Sequence, residues 1–281
     1  MKTPLAYKVI DVEKVVRSSK SFAIRNLPGF VVRYLIKVIQ EEEFNRVSNQ
    51  LVDQLGINLI EGIKKIWNVN YEILNPEIIP TSGKYVYVGN HPIGSWDSIF
   101  LLHYFTQSGQ SILTLANEVL YQIHQMREFF IKVDTENKLT REYFAMIDKA
   151  FQSESNLLIF PSGEVSRIYK SGPITDCPWK KTFLVKAIQT KRDIVPFYVH
   201  GKLSNRFYNV AKWRMRLGIK MNIEMLYFPD EMLKQGGKTI KYVFGDPIPY
   251  TFFDKSKTAP EWVEYIRQKV YRLADSPLLK A

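Results

Sequence analysis

From about Lys84 to Phe244 the chain alternates short β-rich runs with longer helix-like ones, and this alternation constrains its fold more than any other feature. The strand candidates are Tyr85–Val88, Ile112–Ala116, Phe129–Val133, Leu157–Phe160, Ile194–Val199, Ile223–Phe228 and Ile240–Phe244. Between them lie helix candidates at Ser98–Thr106, Leu139–Gln152, Trp179–Thr190 and Ser204–Arg216, and a final helix is expected over Glu261–Ala274. Strands separated by helices pair side by side in one direction and are covered by those helices. The predicted class is therefore α/β, with a mixed, mostly parallel sheet flanked by helices.

Upstream, Leu27 to Trp67 reads as helical. Pro28 suits a first turn, Arg33, Lys37 and Gln40 fall on one narrow polar stripe, and Phe44, Val47 and Leu51 keep an amphipathic spacing until Gly56 breaks the run. The expected organisation is an N-terminal helical, membrane-facing subdomain over 1–68 and an α/β domain over 69–281. No internal repeat, low-complexity run or Gly/Ser linker separates them.

At 281 residues, with 46% hydrophobic and 14% aromatic content, the chain buries enough apolar area to be globular rather than disordered. Its one cysteine, Cys177, excludes an intrachain disulfide framework and a cysteine-based zinc site, and suits a reducing compartment. Residues 1–13 lack the apolar stretch of a secretory signal, and no charge-free run reaches the roughly 18 residues of a spanning helix. Any contact with a membrane is expected from one side, as a peripheral protein.

The net charge of +11 is unevenly placed. Residues 1–40 hold eight bases and two acids, and residues 194–223 hold six bases and no acid, so the rest of the chain is close to neutral. Both basic segments also carry large apolar side chains: Phe30, Tyr34 and Leu35 in the first, Phe207, Tyr208, Trp213 and Leu217 in the second. Such a mixture suits an anionic membrane surface, although a solvated basic face on an ordinary packed helix explains either segment alone. Nucleic acid is not expected as a partner, because zinc-finger spacing, ribonucleoprotein motifs and a recognition helix are all missing from the sequence.

The most informative stretch is Asn90-His91-Pro92-Ile93-Gly94-Ser95-Trp96-Asp97, which follows the apolar run Tyr85–Gly89 and leads into a helix. A histidine at the end of a buried strand lies where α/β folds commonly place their sites. Asp97 can reach back to one imidazole nitrogen, fix the tautomer and leave the other nitrogen to take a proton from a hydroxyl. Alternatively, His91 is a turn residue bonded to backbone and Asp97 a helix N-terminal residue favoured by the macrodipole. A second segment, Leu157-Leu158-Ile159-Phe160-Pro161-Ser162-Gly163-Glu164-Val165-Ser166-Arg167, repeats the arrangement of an apolar strand running into a Pro/Gly turn with charged groups at its end.

These two blocks, in this order, resemble those of the glycerolipid acyltransferase superfamily. The nearer resemblance is to its hemolysin-like bacterial subgroup, which writes them as Asn-His-Pro-x-Gly-x-x-Asp and Phe-Pro-x-Gly-Glu-Val-Ser-Arg. Asp176-Cys177-Pro178-Trp179, Phe183, Lys186-Ala187, Ile194-Val195-Pro196-Phe197 and Asn205-Arg206-Phe207-Tyr208 continue the likeness, which runs from about residue 10 to 250. Five residues stand between His91 and Asp97 where the common superfamily form has four, and Glu164 and Arg167 follow Gly163 where that form places its Glu directly before the Gly. Both variants agree with the subgroup.

The resemblance implies an O-acyltransferase that moves a fatty acyl chain from an acyl thioester, on acyl carrier protein or coenzyme A, to a lysolipid hydroxyl. The acceptor it implies is a lyso-aminolipid, a glycine or ornithine lipid, with 1-acylglycerol-3-phosphate as the alternative. His91 would be the general base and Asp97 its partner, with no covalent acyl-enzyme, no metal and no cofactor; the sole thiol, Cys177, is the weaker candidate nucleophile. Arg167 suits a head-group carboxylate or phosphate through a bidentate contact, or else a salt bridge to Glu164 that shapes the turn. Asn90 and Gly94 position either the oxyanion or simply the turn. Ser162, Gly163, Glu164 and Ser166 stand at the neighbouring strand end, and Asn117, Trp179 and Asn205 are further pocket candidates. His103 and His124 read as packed or surface residues, His200 ends a strand before Gly201 from which it could approach the site, and no pair has metal-ligand spacing. The expected place of action is the cytoplasmic face of the inner membrane. From another class, a non-catalytic basic protein would bind anionic membrane or nucleic acid through residues 194–223.

Overall fold

The computed structural model describes residues 8–116, 121, 123–132, 141–169 and 172–280. Seven strands form one sheet: β1 (Asn70–Ile73), β2 (Tyr85–Gly89), β3 (Ile112–Ala116), β4 (Phe130–Lys132), β5 (Asn156–Ile159), β8 (Asp193–His200) and β9 (Thr239–Phe244). Their spatial order is β1-β9-β8-β2-β5-β3-β4, while β6 (Arg167–Ile168) and β7 (Ile174–Thr175) make a separate antiparallel pair. Every neighbouring pair in the large sheet is parallel except β8 with β9, so the sheet is mixed and mostly parallel as expected.

The helices placed among the described residues are α1 (Val12–Arg17), α2 (Phe22–Arg25), α3 (Gly29–Ile39), α4 (Glu41–Gln50), α5 (Gly56–Trp67), α6 (Ser95–Gln107), α7 (Arg141–Gln152), α8 (Thr182–Gln189), α9 (Asn205–Arg216), α10 (Phe228–Leu233) and α11 (Ala259–Arg272). Successive strand residues point to opposite faces. Tyr87 of β2 and Leu158 of β5 therefore join one core with Leu59 and Ile60 of α5, Phe100 and Phe105 of α6 and Phe207 of α9. Val86, Val88, Leu157 and Ile159 join a second core with Phe151 of α7, Leu184 of α8 and Ile266 of α11. Burial on both faces is why β2 is apolar and why β5 is apolar after Asn156. The α6 segment is apolar on nearly every side and is correspondingly buried.

Proline in a central strand needs an explanation, and Pro196 of β8 has one. Strand N–H groups point to alternate sides, and the Ile194 N–H points away from β2, donating to Ile248 O at 2.9 Å. The nitrogen of Pro196 faces that same side, beyond the end of β9 at Phe244, so no bond to β2 is lost. The helical N-terminal region begins with a small core of Val12, Val16 and Val32. It is tied down by Glu41, whose carboxylate accepts the Val12 N–H at 2.9 Å and faces Lys8 Nζ at 3.0 Å.

Several expected elements differ. Ile223–Phe228 is not a strand: a 3₁₀ turn over Ile223–Tyr227 runs into α10, where Pro229 stands in the first turn and Glu224 is drawn into the interior by two arginines. The helical stretch from Leu27 to Trp67 is three helices. Gln40, in the left-handed region at φ +59°, separates α3 from α4, and Gly56 opens α5 instead of ending a helix. Trp179 lies before α8 rather than within it, β4 ends at Lys132, and Val133 is outside the described residues. Strand β1, not expected from the sequence, closes the edge beside β9.

A polar chain centred on the buried His103 joins α5, α6 and β1. His103 Nδ1 stands 2.7 Å from the Tyr71 hydroxyl and Nε2 stands 2.5 Å from Glu61 Oε1. Burial pushes the His103 imidazole below its ordinary value, against the pull of Glu61. The unfolded chain therefore takes up this proton first as pH falls through about 6.5, and stability falls with it, by at most about 1.4 kcal/mol per pH unit for one proton. Urea unfolding between pH 7.5 and 5.5 should show a steeper loss for the wild type than for His103→Gln; equal slopes would mean that His103 does not titrate differently on folding.

Candidate active site

β2 ends at Gly89, and the chain turns through Asn90-His91-Pro92-Ile93-Gly94 into α6. Gly94 has φ +86°, and a Cβ there would lie 2.2 Å from the Phe228 ring, so only glycine fits this turn. The turn lets Asp97, in the first turn of α6, fold back. Its Oδ2 accepts the N–H groups of Ile93 at 2.9 Å and Gly94 at 2.8 Å, and stands 3.0 Å from His91 Nδ1. Burial pushes the Asp97 carboxyl above its ordinary value, opposed by His91 and the two N–H donors. The His91 side chain is 18% exposed while its Nδ1 is buried, so the exposure belongs to the opposite edge of the ring. That ring stacks on Phe160 with centroids 4.3 Å apart. An imidazole held at one nitrogen by a buried carboxylate and open at the other edge can accept a proton there, with the carboxylate stabilising the imidazolium.

The second block reaches the same place because β5 lies beside β2, with Val88 opposite Ile159. Both strands run the same way, so both turns leave the same end of the sheet. Gly163, at φ +69°, closes the second turn with its N–H on Phe160 O at 2.9 Å, and Ser162 Oγ donates to Glu164 O at 2.8 Å. Gly163 and Glu164 are exposed, whereas Ser162 and Ser166 are buried.

Asp176 clasps the two blocks together. Its Oδ1 accepts the His91 N–H at 3.2 Å and the Ser166 hydroxyl at 2.5 Å, its Oδ2 accepts Trp179 Nε1 at 2.9 Å, and its own N–H donates to the Tyr271 hydroxyl at 2.8 Å. Ser166 N–H adds a bond to His91 O at 2.8 Å. On the other flank, Asn90 Oδ1 accepts the Val199 N–H at 2.7 Å and its Nδ2 donates to Val199 O at 3.0 Å, locking the end of β2 to β8. Both hydrogen-bonding functions of that amide go to β8.

Arg167 differs from both roles expected for it. It is buried, with Nε 3.0 Å from Glu224 Oε1, a second nitrogen on the carbonyl of Val165 and the guanidinium 4.7 Å from the Phe207 ring centroid. The partner is Glu224 rather than Glu164, and the guanidinium is engaged inside the protein because an unpaired buried charge there would be costly. Arg214 Nε lies 2.8 Å from the other Glu224 oxygen. Trp179 is buried as a support for Asp176, and Asn205 is exposed at the start of α9. Asn117 lies outside the described residues. His200 and His124 are exposed. Burial pushes the Cys177 thiol up, which makes it a poor nucleophile. Among the described residues no group of three or more His, Cys, Asp or Glu could hold a metal ion.

Asp176 and Glu224 are the site-building residues that sequence reasoning did not single out. A signal existed for Glu224, the only acid between Ile194 and Pro229. Asp176 stood in a quoted motif, but nothing in its neighbours announced that it would bond to His91.

A family model described as Acyltransferase matches residues 14–279. A lyso-glycine lipid O-acyltransferase of Bacteroides thetaiotaomicron is 37% identical over 266 residues, covering 94% of this chain and 97% of the relative. An enzyme of the same name from Phocaeicola vulgatus is 34% identical over 266 residues, covering 94% of this chain and 95% of the relative. The crystal structure of the 1-acyl-sn-glycerophosphate acyltransferase PlsC from Thermotoga maritima aligns with 88% of this chain and 90% of its own, with a TM-score of 0.49 and 14% identity. Matched from residue 14 to 279, and similar to both relatives along nearly their whole length, the chain belongs to the acyltransferase family.

Proposed function

We propose that the protein is a lysolipid O-acyltransferase whose acceptor is a lyso-glycine lipid, with His91 as general base. The observation that carries this reading is the His91–Asp97 pair, with Nδ1 3.0 Å from a buried carboxylate oxygen that two backbone N–H groups already hold in place. His91 takes the proton of the acceptor hydroxyl as its oxygen attacks the thioester carbonyl. The C–S bond then breaks, the new ester stays on the lipid, and the proton passes from the imidazolium to the departing thiolate. Asp97 keeps the tautomer and offsets the transient positive charge. The step as written calls on neither a metal nor a redox group.

Gly163 and Glu164, exposed in the turn beside His91, are proposed to face the substrate, and Gly94 to shape its seat. The roles of Asn90, Ser162, Ser166, Trp179 and Arg167 are proposed as holding the two turns in register. The donor is an acyl thioester on acyl carrier protein or coenzyme A, and the enzyme works as a peripheral protein at the cytoplasmic face of the inner membrane. Among the described residues no helix is long and apolar enough to cross a membrane. The acceptor assignment is supported by the name and the near full-length coverage of the two relatives.

His91→Ala should lower acyl transfer by about 10²–10⁴-fold, the usual contribution of a positioned base, with unfolding temperature little changed. Asp97→Asn, which can still accept the Ile93 and Gly94 N–H groups but presents an amide to Nδ1, should fall in the same range. Wild-type turnover by His91→Ala would remove His91 as the base and leave it a residue of the turn. For the acceptor, lyso-glycine lipid, lyso-ornithine lipid and 1-acylglycerol-3-phosphate should be compared with one labelled donor. A kcat/KM for the glycine lipid higher by about tenfold or more is expected, and preference for the phosphate acceptor would reassign the substrate.

A further inference from the structure

The turn after α9 is exposed without a break from Arg216 through Leu217, Gly218, Ile219 and Lys220 to Met221. Trp213, one helical turn before Leu217, extends the same surface. Trp213 is 61% exposed, Leu217 68% and Met221 66%. Single exposed apolar residues are ordinary on protein surfaces, but several in one protruding tip mark an interaction site. Gly218, at φ +67°, turns the tip, and no atom would approach a Cβ placed on it, so the tip stands clear of the rest of the chain.

The charge around this tip has one sign. The only acid between Ile194 and Pro229 is Glu224, which is buried and bonded to Arg167 and Arg214, leaving Arg216 and Lys220 without an acidic neighbour in the segment. The segments flanking the tip, at Arg206 and Tyr227, meet α3. The Tyr34 hydroxyl meets that of Tyr227 at 2.9 Å and accepts from Arg206 at 3.2 Å, and Phe30, one turn before Tyr34, is exposed. Through Glu224 the same segment is tied to Arg167, next to Ser166, whose N–H holds His91 O.

We propose that the tip over residues 213–221 inserts into the headgroup region of an anionic bilayer and so seats the His91 turn at the lipid surface. Interleaved basic and large apolar side chains on a protrusion match a boundary where phosphates lie above and acyl chains below. A docked acidic protein would use the charges but would leave the protruding apolar side chains unexplained. The inference rests on the lipid acceptor proposed above, because only a membrane-borne substrate gives the site a reason to be seated there.

Sedimentation with phosphatidylcholine–phosphatidylglycerol vesicles, against pure phosphatidylcholine, tests it with the full chain. The wild type should prefer the anionic vesicles and release them as salt rises. Arg216→Gln with Lys220→Gln should weaken that binding by about thirtyfold, from roughly fivefold per charge. Leu217→Glu with Met221→Glu should bring it to background and slow turnover of vesicle-borne lysolipid, while turnover of the same acceptor in detergent, and the unfolding temperature, stay at wild-type values. Undiminished vesicle binding by Leu217→Glu with Met221→Glu overturns the proposal. Equal loss of turnover in detergent also overturns it, since the tip would then serve the reaction itself, as does lost binding of an acidic acyl carrier protein with vesicle binding intact. Because vesicle binding is read without catalysis, an inactive wild type that binds anionic vesicles through the tip counts against the acyl-transfer reading alone.

Discussion

The parallel pairing of β2 with β5 is the contact on which the site depends. Two apolar strands distant in sequence lie side by side because each is buried on both faces, with alternate residues serving two cores. Parallel direction then sends both following turns out of the same end of the sheet. His91 stacks on Phe160 as a consequence of that register, and a one-residue slip would turn every side chain of β5 toward the wrong core. Asp176 and Ser166 hold the two turns together once the strands have placed them, while Asn90 ties the end of β2 to β8.

The site is assembled from buried carboxylates, each provided with donors that offset its desolvation. Asp97 uses two backbone N–H groups and an imidazole, Asp176 uses a backbone N–H, a hydroxyl and an indole, and Glu224 uses two guanidinium groups. This division leaves one edge of His91 open while Asp97 Oδ2 and both oxygens of Asp176 are engaged. It also makes the segment after α9 part of the site's support, because Glu224 belongs to the turn that follows the exposed tip. The surface that would meet a membrane and the turn that carries His91 are thus joined through one ion pair and one strand end.

Much of this was legible in the residues. The apolar runs, the turn glycines and the His91 and Asp97 blocks predicted the strand ends and which segments would carry chemistry, because burial and turn geometry demand particular residue types locally. Arg167 was misread, since a guanidinium near a strand end looks free until its partner is known, and Glu224 reaches it from a segment that read as a strand. The apolar run Ile223–Phe228 looked like a strand because composition does not reveal that Glu224 must turn inward to meet two arginines. Asp176 stood in a motif shared with the family, but its role was not legible there, because it lies in an N–H contributed by distant His91.

By itself, the sequence determined the α/β class, the uneven placement of positive charge and the two turn blocks, all properties that follow from local periodicity and residue chemistry. Only the tertiary structure decided that β5 lies next to β2, that Asp97 faces His91 through Nδ1, and that Arg167 pairs with Glu224. The physical reason is range: helices, strands and turns answer to neighbours a few positions away, whereas strand order and buried ion pairs are settled by which distant segments can cover one another's apolar faces and satisfy one another's charges.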